Sequence, residues 1–132
     1  MNIPILIAAC ITSLAFVAHT FVGTQEALKT APKKLKTTVE DKIQQHWLQS
    51  MGAFQMVTID LLLVSLILWA LALTNWIPME REVTLLLSAW FFLWGIAWLV
   101  QLLFLTKDKK DYLLLGQWLF WLVNAALLYW SV

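Results

Sequence analysis

Apolar residues run nearly unbroken through four stretches of the chain, residues 3–22, 53–74, 83–105 and 112–130. Charges and helix breakers gather between them. Each stretch holds about 20 residues, and at about 1.5 Å per residue a helix of that length crosses a hydrocarbon layer about 30 Å thick. Helix is the solution open to a single run, because lipid cannot satisfy a free backbone N–H or C=O. The pattern predicts one all-α membrane domain, a four-helix transmembrane bundle. The first run lacks the positive flank of a signal peptide, and Ala18-His19-Thr20 is a poor small-residue cleavage site, so it is read as a retained span.

The first connection, residues 24–52, is long and has helical character of its own. Thr37-Thr38-Val39-Glu40 fits a capping box. Leu35, Val39, Ile43 and Trp47 recur every fourth residue, a stripe suited to lying among lipid headgroups. A short amphipathic interfacial helix is expected there, running on from Thr38 into the second span with a bend near Gly52. Asn75-Trp76-Ile77-Pro78 forms the second connection, where Pro78 discourages helix, and residues 106–111 form the third.

Composition agrees with the pattern. Of 132 residues, 61% are hydrophobic and only 13% charged, against about 25% charged in soluble domains. A net charge of +1 gives no nucleic-acid footprint. The single cysteine, Cys10, rules out an internal disulfide and reads as a small packed hydrophobe. Charge also sets the orientation. Arg81 alone lies in the second connection. The other Lys and Arg residues fall in the first (Lys29, Lys33, Lys34, Lys36, Lys42) and the third (Lys107, Lys109, Lys110), which share a side. Cytoplasmic loops carry the Lys/Arg excess, so both termini are expected outside, in the manner of a bacterial inner-membrane protein. Lys33, Lys34 and Lys36 are expected to meet anionic headgroups.

Polar residues within lipid are costly, so they are where function is sought. His19, Gln55, Thr58, Asp60, Gln101 and Gln117 all fall in the cytoplasmic half and form a candidate intramembrane polar cluster. The stripes Ala8-Thr12-Ala15-His19, Gln55-Thr58-Leu62-Ser65-Trp69 and Gln117-Trp121-Asn124-Leu128 are expected to face the bundle interior. Asp60 sits about 140° round the second span from Gln55 and need not join them. Each residue has a plain reading beside the functional one: His19 donating to backbone or phosphate, the glutamines and Thr58 as interhelical glue, Asp60 as half of a structural pair. Trp90, Trp94 and Trp98 form a tryptophan face on the third span, expected to meet lipid or a partner subunit.

The sequence offers no phosphate loop, no paired-histidine metal spacing and no credible nucleophile, and enzymatic activity is the least expected class. His19-Thr20-Phe21-Val22-Gly23 ending the first span, with Phe54-Gln55-Met56-Val57-Thr58 opening the second, resembles a pattern in uncharacterised small four-helix bacterial inner-membrane proteins. Gln55 stands where those proteins have a histidine, which counts against a bis-histidine haem or metal role. The length is similar to that of small multidrug-resistance transporters, but the first span lacks their membrane-embedded glutamate. Three functions are weighed. The leading one is a non-enzymatic accessory or structural subunit, packed against a larger membrane complex or copies of itself, without cofactor. The second is a small-solute or proton-coupled carrier using Asp60 and His19. The third is a b-type haem protein with His19 as one axial ligand and His46 or another side chain as the second.

Overall fold

The computed structural model describes residues 2–32, 38–106 and 108–132. Regular structure among them is helical throughout: α1 (Ile3–Ala18), a π-helical turn (His19–Gly23), α2 (Thr24–Lys29), α3 (Thr38–Leu73), α4 (Glu80–Leu105), α5 (Lys109–Leu114) and α6 (Gln117–Trp130). Three stretches, Ile3–Lys29, Asp41–Leu73 and Glu80–Leu105, are long and apolar enough to cross a membrane. The chain is a membrane protein.

The elements depart from the sequence pattern at two places, the end of the first helix and the last apolar run. The first helix does not stop at Val22 but continues through the π turn and α2 to Lys29. Gly23 stays helical at φ −61°, ψ −41°, and no breaker intervenes before Pro32. The interfacial segment and second span are one helix, as their pattern leads one to expect: α3 keeps helical bonding through Gly52 for 36 residues, about 54 Å at 1.5 Å per residue. The run over 112–130, by contrast, is divided. Leu115 (φ −103°, ψ 47°) and Gly116 (φ −68°, ψ 12°) leave the helical region and separate α5 from α6. With 14 residues, α6 alone reaches about 21 Å. Lys33, Lys34, Lys36, Lys107 and the Thr37 cap lie outside the described residues.

Contacts divide the chain into two units, Thr12–Leu66 and the pairing of Met1–Ile11 with Ile67–Val132. In the first, the later part of α1 runs antiparallel to α3. Ser13 Oγ meets Ser65 Oγ at 2.7 Å, His19 Nδ1 meets Thr58 Oγ1 at 2.9 Å, and Gly23 faces Phe54. Rising numbers on one strand of the pair meet falling numbers on the other. Small residues and hydroxyls occupy this contact because lipid supplies no hydrophobic drive between helices; close approach and hydrogen bonds hold them instead. Thr58, Leu61 and Ser65 form the buried stripe of α3 here.

In the second unit α4 and α6 are antiparallel. Ser88 Oγ donates to the Ala125 carbonyl at 2.8 Å. A Cβ placed on Gly95 would lie 2.7 Å from Leu122 Cδ2 and 3.3 Å from Trp121 Cβ, so the missing side chain is what lets the helices close. Phe91, fully buried, is met by Phe120 and Trp121, and Trp94 stacks on Trp121 at 5.4 Å. Asn2 Nδ2 donates to the Ser131 carbonyl at 3.0 Å, joining the two ends of the chain.

Candidate functional site

The polar contact with the most chemistry lies in the unit Thr12–Leu66. At the end of α1 the backbone N–H of Thr24 bonds to the His19 carbonyl, closing a turn one residue wider than an α-turn. Such turns re-aim the side chains they carry. His19 thereby lies flat on Phe54, ring centroids 3.8 Å apart and planes inclined by 15°, while Gly23 passes over the same ring. A Cβ on Gly23 would approach Phe54 Cζ to 2.9 Å. The glycine is needed for closeness, not for an unusual dihedral.

The Thr58 hydroxyl also reaches the Phe54 carbonyl, at 3.2 Å. When its single proton goes there, His19 Nδ1–H is the donor to Thr58 Oγ1; when it goes to His19 Nδ1, the ring accepts. Either way the contact between His19 and Thr58 pairs two polar groups inside an apolar surface.

Asp60 and Gln55, in the same unit, do not share this contact. Helical geometry turns about 100° per residue, which carries Asp60 to the other side of α3 from Thr58. There Asp60, half-buried, lines an open groove with Gly52, Gln55, Met56 and Ile59. Gln55 is exposed; it stands at the flank of the stripe that holds Thr58 and Ser65 rather than within it. Gln101 and Gln117 are exposed on α4 and α6, while Trp121, Asn124 and Leu128 of the same α6 stripe are buried. Within the unit Thr12–Leu66, His19 and Thr58 are the two in direct contact, and Gln55 and Asp60 stand apart from them on α3.

The tryptophan face is not uniform either. Trp90 is exposed at 43%, whereas Trp94 is half-buried against Trp121. Trp98 donates Nε1–H to the Leu115 carbonyl at 3.2 Å. From α6, Trp118 donates to the Tyr112 carbonyl at 2.8 Å. Two indoles thus bond to carbonyls at the break between α5 and α6, where the helical ladder is interrupted. Sequence reasoning missed this role, as well as those of Phe54, Gly23 and Gly95. The signals were present, a glycine in each close contact and an isolated Gly116, but an apolar run gives no hint of which ring or carbonyl a residue will meet.

Among the described residues no three His, Cys, Asp or Glu side chains lie close enough to hold a metal ion. His46 is on α3, twelve positions before the residue that binds His19, and that separation is about 18 Å along the axis. The two imidazoles of one chain do not fit opposite faces of one iron.

No known protein family, curated protein or solved structure matches this chain.

Proposed function

We propose that this protein is a non-enzymatic structural subunit of a bacterial inner membrane, crossing it four times and packing against a larger complex or copies of itself. One observation carries the reading: its inward polar groups are consumed by short internal bonds while its outward surface is broadly apolar. Ser13 with Ser65, His19 with Thr58 and Ser88 with the Ala125 carbonyl tie neighbouring helices together. Among the described residues no buried side-chain nitrogen or oxygen lacks a bond. Outside, Met56, Leu86, Leu103, Phe104 and Trp130 are all more than two-thirds exposed. Side chains spent on holding helices together leave little for turnover, and aromatic surfaces favour docking.

In this reading α5 and α6 together make the fourth crossing. The Asn2–Ser131 bond supports placing both termini on one side, and the lysine distribution assigns that side to the exterior. Lipid headgroups are the partners of the loop lysines, and no cofactor is required. Purification in a mild detergent, followed by native mass measurement and identification of co-purifying chains, tests it. An assembly larger than one chain is expected. A lone monomer that moves a solute in vesicles would overturn the proposal.

A further inference from the structure

Helix α3 has a second stripe, nearly opposite the buried one. Met56, Ile59, Leu63 and Leu66 are 72%, 54%, 51% and 57% exposed, and Gly52 precedes them, also exposed. Their spacing of four, three, four and three residues is that of the a and d positions of a heptad. Nothing in the unit Thr12–Leu66 covers them. Two polar residues flank this seam. With Met56 and Ile59 at a and d, Gln55 occupies a g position and Asp60 the e position that follows it. Together with Gly52, Met56 and Ile59 they line an open groove, and among the described residues neither has a hydrogen-bond or ion-pair partner.

We propose that this seam binds the same seam of a second copy of the chain, with the two α3 helices parallel about a two-fold axis along the membrane normal. Two copies inserted with one orientation present α3 in parallel, and in a parallel pair the g position of one helix faces the following e position of the other. The Gln55 amide of each copy then donates to the Asp60 carboxyl of its neighbour, twice per dimer. An unpaired carboxyl on a lipid-facing helix is costly; the chain carries its own donor for it at the register symmetry demands. This self-complementarity favours a second copy over an unlike partner. The proposal rests on the subunit reading above and specifies which surface docks and on what.

Cysteine cross-linking in native membranes tests it. In a Cys10→Ser background, Met56→Cys, Ile59→Cys, Leu63→Cys and Leu66→Cys are expected to give disulfide-linked dimers of twice the chain mass. Leu93→Cys and Leu103→Cys, exposed on α4, are not. Gln55→Leu and Asp60→Leu should each weaken association in lipid by about tenfold, the double variant no more than either alone. Absence of dimers at the α3 positions, with the protein present in normal amount, overturns the proposal. So does cross-linking of Ile59→Cys to an unlike chain, although the subunit reading would survive that result. Additive losses in the double variant would also defeat it, since they mean that Gln55 and Asp60 do not meet.

Discussion

His19 is held by a hydroxyl at one ring nitrogen and by an aromatic face against its plane, and the two contacts can be separated by substitution. His19→Phe keeps the ring on Phe54 while losing the bond to Thr58; His19→Ala loses both. The alanine variant should be the less stable of the two in chemical or thermal unfolding carried out in lipid. Thr58→Val removes the hydroxyl alone and should cost about 0.6–1.7 kcal/mol, the range for hydrogen bonds between membrane helices. Gly95→Ala makes a steric rather than a polar demand. Its Cβ would press on Leu122 Cδ2, a movable tip, but also on Leu122 Cγ at 2.9 Å and Trp121 Cβ at 3.3 Å, which sit near the backbone. A loss of about 1–3 kcal/mol is expected on overpacking grounds, seen as a lower unfolding midpoint. At this scale the sequence was partly readable. Position on a stripe was enough to pick out Thr58 and His19. Phe54 was not, because its ring lies under His19 only through a π turn that apolar periodicity does not announce.

At the scale of the element, the interruption between α5 and α6 carries its own argument. In the proposed fourth crossing this break would lie at membrane depth, where it is tolerated only if neighbouring groups re-satisfy the backbone. Here the indoles of Trp98 and Trp118 bond to the Leu115 and Tyr112 carbonyls. On the polar side of the break, Asp108 caps α5 by accepting from the Lys110 N–H at 2.9 Å, and Thr106 bonds to Asp111. Trp98→Phe and Trp118→Phe preserve ring volume and remove only the donor. Each should accelerate amide hydrogen exchange over residues 115–119 and leave the amides of 84–95 in α4 unchanged. Equal exchange in the variants and the parent would mean that the indoles do not stabilise the break. Apolar residues continue smoothly from Tyr112 to Trp130, so hydropathy alone joins what the backbone divides. The end of the first helix, read at Val22 and found at Lys29, was misjudged for a related reason: hydropathy marks where lipid begins, whereas a helix ends only where a breaker or a missing bond stops it.

For the whole molecule, topology is the testable quantity. The proposed topology puts both lysine-rich connections in the cytoplasm, so that a cysteine at Asn75 should react with a membrane-impermeant maleimide added to intact cells. One at Lys109 should react only after the membrane is opened; the Cys10→Ser background keeps the signal clean. Reaction at Lys109 from outside would reverse the orientation. The membrane class was legible because it follows from composition and run length, quantities summed over many residues. The exposure of Gln55 at the flank of the Thr58 stripe was less so, since it depends on angular position about the axis and a small phase error moves a side chain from one face to the next.

The length of α3 has a mechanical consequence. About 54 Å of uninterrupted helix exceeds a hydrocarbon layer of about 30 Å by some 24 Å, and no proline breaks its ladder of hydrogen bonds. That ladder is continuous from Asp41 to Asp60. A partner that turned the helix at Asp41 or Lys42 would therefore be expected to move Thr58 and Asp60 as well, through backbone bonds rather than through a hinge.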